Sequence, residues 1–188
     1  NTYTLFTDTI NTYANIVLSN TNYGFAYGRQ NAITAEFGMV GGHQSQARIY
    51  GQRSLGAGWF GSGLYAQTSE IVLRVETTDA TQTEMGNAGG FISTQNDRAY
   101  AFEVDVVGRK SDGTKRAYTK LRFLFNRIGS AATSTIEGLV TEEVWQTDIS
   151  WDVTVTADTV NGRPAIKVTG AGGDTVRWTA RVVMTEVC

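Results

Sequence analysis

The chain has 188 residues, 18 acidic against 16 basic for a formal net charge of −2, 41% hydrophobic residues and a single cysteine, Cys188. That length suffices for one domain or two small ones. The near-neutral charge supplies no general attraction to nucleic acid or acidic membranes, and one cysteine excludes an intrachain disulfide and a cysteine-based zinc site. No apolar run approaches the roughly 18 residues that cross a bilayer as a helix, so no membrane insertion is expected. The chain opens on Asn1 rather than Met, and an attachment segment upstream is expected.

Glycine is abundant (21 residues), proline nearly absent (1), and threonine and valine recur throughout, which is the composition of strands and turns. Residues 1–22, rich in Asn and Thr, suit an extended arm. From Tyr23 an internal repeat begins. Tyr23-Gly24, Phe37-Gly38 and Tyr50-Gly51 lie fourteen and thirteen residues apart, each followed within four or five residues by a further glycine, Gly28, Gly42 and Gly56. Short repeats cannot bury a face alone, so they stack on one another or on copies in neighbouring subunits. The spacing is similar to that of the head repeats of trimeric β-roll adhesins; the same residues also fit a glycine-rich meander of short antiparallel strands. The segment 56–63, Gly-Ala-Gly-Trp-Phe-Gly-Ser-Gly, suits a boundary, with the repeat region at 23–68 and a second module at 69–188.

In the second module, Ile71, Leu73 and Val75 alternate with polar neighbours, as a half-buried strand requires. Tyr100, Phe102, Val104 and Val106 do the same, Ser111-Asp112-Gly113 turns the chain, and Ala117, Thr119, Leu121, Phe123 and Phe125 return as a long hairpin. Shorter strands are expected around 135–140 and 143–145. Trp151, Val153, Val155 and Ala157 form one face of the next strand, Asn161-Gly162 is a strong hairpin turn, and Pro164 opens the return strand through Ile166 and Val168. After the 170–173 turn, Val176, Trp178, Ala180, Val182 and Met184 share a face. No amphipathic helix appears. The fold class is all-β: the glycine-rich β-repeat region, in the form of a trimeric β-roll if the adhesin likeness holds, followed by an antiparallel β-sandwich or jelly-roll-like module. Trp151 and Trp178 read as core.

Ser69-Glu-Ile-Val-Leu-Arg-Val-Glu-Thr-Thr-Asp-Ala-Thr-Gln-Thr-Glu-Met85, Trp151-Asp-Val-Thr-Val-Thr-Ala-Asp-Thr-Val-Asn-Gly162 and Val176-Arg-Trp-Thr-Ala-Arg-Val-Val-Met-Thr-Glu-Val187 resemble the distal domains of tailed-bacteriophage tail fibres, tail spikes and head fibres. The resemblance spans residues 23–188 and is best in the closing strands. It implies a homotrimeric, non-enzymatic module of the virion, meeting other virion proteins and a host-surface polysaccharide or lipopolysaccharide. A purely structural fibre or capsid-decoration role, and a glycan-degrading tail spike, are the alternatives it leaves.

The residues with chemistry to offer are few. His43 is the only histidine, so any Ser/His/Asp triad would have to use it and a His-rich metal site is excluded. Glu137, Glu142, Glu143 and Asp148 could supply the two carboxylates of a glycosidase, although a solvated strand face is the simpler reading. Asp148, Asp152 and Asp158 lack the spacing of a calcium loop. No cofactor or metal is expected, and no enzyme. Lys110, Lys115, Arg116 and Lys120, with Arg109, Arg122 and Arg127, load the 109–127 hairpin with positive charge and could meet an anionic glycan. Against them stands the bland alternative of an edge hairpin kept from strand addition by charge. Trp59, Phe60 and Tyr65 lie in or beside turns with Gln67 near; flat rings beside amides suit sugar contact, and with Tyr118 on the hairpin they complete the expected glycan-binding set. Nucleic acid is not an expected partner.

Overall fold

The computed structural model describes residues 16–17, 23–60 and 65–188, with backbone alone for Ile16, Val17, Trp59 and Tyr65. The arm expected over residues 1–22 therefore lies outside the described residues apart from one short strand.

The repeat region is a two-sided coil. Strands β1 (Ile16–Val17), β3 (Ala32–Ile33) and β5 (Gln46–Ala47) stack in parallel on one side, and β2 (Phe25–Ala26), β4 (Met39–His43) and β6 (Arg53–Trp59) in parallel on the other. Phe25 pairs with Met39 and Met39 with Arg53, so equivalent residues sit above one another at a fourteen-residue interval. The chain is thus a short β-solenoid, and the antiparallel meander is excluded by the parallel register. Positive φ recurs at Tyr23, Phe37 and Gly51 and, halfway round each coil, at Gln30, Gln44 and Gly58. These are the corners. A bulky residue there is uncommon; the rings of Tyr23 and Phe37 stack at 5.2 Å and Phe37 lies 5.2 Å from Tyr50. In the third coil glycine itself takes the corner at Gly51 and the aromatic steps back by one residue. That explains the interval of thirteen instead of fourteen in the sequence.

Glycine inside the coil is required at Gly28 and Gly42. A Cβ on Gly28 would sit 2.1 Å from the carbonyl oxygen of Gly42, and one on Gly42 would sit 2.3 Å from that of Gly56. The solenoid core is small, Ile33, Val40 and Ala47 with Ala26 against them, and buried polar groups fill the remainder. Gln52 donates to the hydroxyls of Ser54 and Ser69 at 2.9 Å each.

The second module is a sandwich of unequal layers. Strands β7 (Tyr65–Thr77), β8 (Thr83–Glu84), β9 (Arg98–Lys110), β10 (Arg116–Arg127), β11 (Thr135–Gln146), β12 (Asp152–Asp158), β13 (Arg163–Thr169) and β14 (Val176–Val187) follow, with one 3-10 turn at Ala131–Thr133. The larger sheet runs β11-β10-β9-β14-β7 and continues without a break into β6-β4-β2 of the solenoid; the smaller is β12-β13-β8. Strand β7 crosses position 68/69, pairing with β6 on one edge and with β14 on the other.

Ile71, Leu73, Phe102, Val104, Leu121, Phe123 and Val182 on the larger sheet pack against Val155, Ile166 and Val168 of the smaller. Each buried side chain of this size contributes about 1.5–3 kcal/mol. Trp151 and Trp178 are both buried, with ring centroids 5.3 Å apart, as their positions in the alternation predict. The Trp178 ring occupies the space a side chain at Gly108 would take, 2.4 Å from its Cβ position.

Two details differ from the sequence reading. The expected pair of strands over 135–145 is the single strand β11, irregular at two register shifts against β10. The chain reverses at Asn161-Gly162, but through a four-residue loop in which only Gly162 has positive φ. Its organiser is Asp158, whose carboxylate accepts the backbone N–H groups of Val160 and Asn161 at 3.0 Å each.

Candidate functional site

Four cations of the basic hairpin formed by β9 and β10, Lys110, Lys115, Lys120 and Arg122, sit in ion pairs. Lys110 Nζ lies 2.8 Å from Asp174 and 3.2 Å from Asp112. Lys115 Nζ bridges Asp148 and Asp174 at 2.7 Å each, and Glu142 joins Lys120, at 3.3 Å, to Arg122. Arg116 lies over the Trp145 ring, 5.6 Å from its centroid. Tyr118 donates its hydroxyl to Asp105 at 2.9 Å, and that bond raises the phenol's pKa. Three of the four acids, Glu142, Asp148 and Asp174, are distant in sequence, and they join Asp112 in pairing four of the seven local cations. The bridges shift both partners. Asp148, chiefly through Lys115, and Asp174, chiefly through Lys110, are held below the usual carboxylate range, while Lys115 is pushed up by Asp148 and Asp174. Asp112 is lowered to about 2, first by the Thr114 hydroxyl.

A depressed carboxylate adds stability that is present above its unfolded pKa, near 3.8 for Asp, and is lost as pH falls through the folded value. The hairpin tip should therefore loosen only in strong acid. In an NMR titration the Asp112 carboxyl should show a midpoint near 2, and an ordinary midpoint near 4 would contradict its bonds to Thr114; Asp148 and Asp174 should also lie below normal, and ordinary midpoints there would contradict the bridges.

Of the other expected contact residues, Phe60 is exposed, and the side chains of Trp59 and Tyr65 lie outside the described residues. Gln67 is corrected: it points inward, 4% exposed, and its amide is spent on Glu186 Oε2 at 3.0 Å and on the backbone of Gln46, so it cannot reach a ligand. There it belongs to a buried charge cluster, in which Arg48 (2.5 Å) and Arg98 both pair with Glu186. His43 sits at a solenoid corner, its Nε2 3.2 Å from Gln30 Oε1. Among the described residues no group of three or more His, Cys, Asp or Glu is placed to hold a metal ion.

The structure brings together a different set. On the outer side of β2, β4 and β6, Phe25, Tyr27, Met39 and Leu55 are all exposed, Tyr27 at 50%. Two rows cross the strands: Phe25, Met39, Arg53, Glu70 and Val183 form one, while Gly41, Leu55 and Thr68 form the other, with the Tyr27 ring against its Gly41 end. The Tyr27 ring lies across β4 because position 41 is glycine, where a Cβ would come within 2.1 Å of Cζ. Beside it runs a groove of about 350 Å3 lined by Tyr27, Met39, Arg53, Leu55, Glu70 and Arg181 among others. Its size falls in the range of small-ligand sites, about 300–1,000 Å3. The signal was present in the sequence as aromatics alternating with Gly24, Ala26 and Gly28, but it reads as a surface only once the parallel stacking is known.

No family model and no curated protein matches the chain. Among solved structures, the Acinetobacter baumannii phage AM24 tailspike protein is similar at 10% identity and a TM-score of 0.33, over 79% of this chain and 30% of that one. The Acinetobacter phage vB_ApiP_P1 tailspike protein is similar at 12% identity and a TM-score of 0.31, over 86% and 39%. The chain spans under two-fifths of the length of either.

Proposed function

We propose that this chain is a non-catalytic attachment module of a virion appendage, working as a homotrimer and holding a host-surface polysaccharide or lipopolysaccharide on the outer face of its solenoid. The observation that carries this reading is the row of exposed aromatic and apolar side chains, Phe25, Tyr27, Met39 and Leu55, on strands held in parallel register. Contiguous exposed apolar surface with a polar rim marks interaction sites, and flat rings with nearby charged groups suit the apolar faces and hydroxyls of sugars. Binding without cleavage is favoured by the groove's chemistry. Glycoside hydrolysis by the usual route takes two carboxylates at a set separation; Glu70 is the one acid among the described lining residues, and Arg181 holds it at 3.1 Å.

Self-association is favoured by β11, the sheet's edge strand, which is exposed on both faces and carries Leu139, Val140, Val144 and Trp145. An unprotected edge with apolar side chains is a ready template for another chain. Light scattering of the purified protein should give three times the 20.4 kDa of one chain, falling to the monomer in a Leu139→Glu/Val144→Glu variant. A monomeric wild type would contradict the trimer. Retention of the labelled protein on immobilised bacterial capsular polysaccharides and lipopolysaccharides tests attachment; passage through all of them would favour the structural fibre or decoration role instead.

A further inference from the structure

We infer that the groove beside Tyr27 takes a sugar that bears a carboxylate, with Arg53 receiving the charge and the Tyr27 ring lying against the pyranose. This deepens the glycan-attachment reading above and rests on it. Arg53 is exposed on β6, and its guanidinium has no ion-pair or hydrogen-bond partner among the described residues. Its cross-strand neighbour is the acid Glu70, which ought to pair with it, yet the Glu70 carboxylate is taken from the other side by Arg181 at 3.1 Å. Arg181 reaches Asp105 as well, at 3.6 Å. Among the described residues the groove is therefore left with one uncommitted guanidinium, whose cross-strand acid is engaged by Arg181. An arginine in that condition suits a planar anion, because its fork of N–H donors matches both oxygens of a carboxylate.

The second half of the site is apolar and built. Gly41 leaves space for the Tyr27 ring to cross β4, so the phenol lies as a platform between Met39 and Leu55 on the same face as Arg53. Ring and guanidinium together fit a ligand with an apolar C–H face and an acid on its rim, which describes a uronic or nonulosonic acid residue within a polysaccharide. A neutral hexose would use the ring and leave Arg53 idle; a phosphate diester would use Arg53 and leave the ring idle.

The test is biolayer interferometry of the full chain against five immobilised polymers: polygalacturonate, the same polymer with its carboxyls reduced, polysialic acid, glycerol-phosphate teichoic acid and dextran. At least one carboxylate polymer should bind, weakening as salt screens the charge. Carboxyl reduction should lower affinity tenfold or more. Arg53→Gln and Tyr27→Ala should each lose tenfold or more at unchanged melting temperature, while Arg109→Gln, an equal change of charge on the hairpin, should bind as wild type. Equal binding to the reduced polymer or dextran would overturn the acidic-sugar assignment and leave glycan attachment standing, and preference for teichoic acid would replace carboxylate by phosphate. An Arg53→Gln variant that binds as wild type overturns the role of Arg53. If none of the five binds, the acidic-sugar assignment fails, and glycan attachment fails with it only if the protein also passes through the capsular polysaccharides and lipopolysaccharides above.

Discussion

Glu186→Ala should cost about 3–5 kcal/mol, the loss typical when one partner of a buried ion pair is removed. Glu186 is almost fully buried near the end of β14, and its two oxygens serve Arg48, from the solenoid, and Arg98, at the start of β9. Gln67 on β7 adds a hydrogen bond at 3.0 Å, so four segments converge on one carboxylate. Truncation removes from a dry environment the one carboxylate that both guanidinium groups share. For a chain of this length such a loss corresponds to a fall in melting temperature of roughly 6–20 °C. Replacing all three, as Arg48→Met/Glu186→Leu/Arg98→Met, should cost less than the single alanine, because the charges that face one another are removed together. A single alanine variant that melts within about 2 °C of wild type would show that the cluster does not join the solenoid to the sandwich.

Gly42→Ala should be nearly as damaging, for a steric reason. Its φ of +79° is a left-handed backbone, and the added Cβ would meet the Gly56 carbonyl at 2.3 Å. The backbone contributes about 1–2 kcal/mol of strain, and forcing an atom into a packed interior another 1–3 kcal/mol or so. Gly51→Ala is the control: its φ of +69° is similar, but no atom lies within 4 Å of the Cβ position. It should cost only the backbone part. Thermal unfolding followed by circular dichroism compares the two; equal losses would mean that strain, and not the spacing between successive coils, makes glycine necessary at Gly42.

These two cases show where the sequence was legible. Ile71, Leu73, Phe102, Val104, Phe123, Phe125 and Trp178 were placed on buried faces correctly because a strand with one covered face must alternate. The repeat was legible as a repeat, but whether its strands ran parallel was not, since short strands flanked by glycine look the same in a meander and in a coil. The two-residue strand β8, which completes the smaller sheet through Lys167–Glu84 and Val168–Thr83, has no period to detect. Charge was the least legible property. Lys115 looked free because its partners, Asp148 and Asp174, lie 33 and 59 residues away, and Gln67 looked like a surface amide because Glu186 lies 119 residues away. The exposed row Phe25, Tyr27, Met39 and Leu55 is assembled by the fourteen-residue stacking, so the alternation of aromatics with small residues over 23–28 does not by itself reveal it.

The central claim, attachment through the solenoid face without cleavage, is tested most directly by following the polysaccharide itself. A capsular polysaccharide that retains the protein should be incubated with it at saturation and then sized by light scattering after the protein is stripped off. Attachment without catalysis predicts a polymer of unchanged length and no new reducing ends, with retention lost in Tyr27→Ala. Progressive shortening of the polymer would contradict it and identify the chain as a glycan-degrading spike domain.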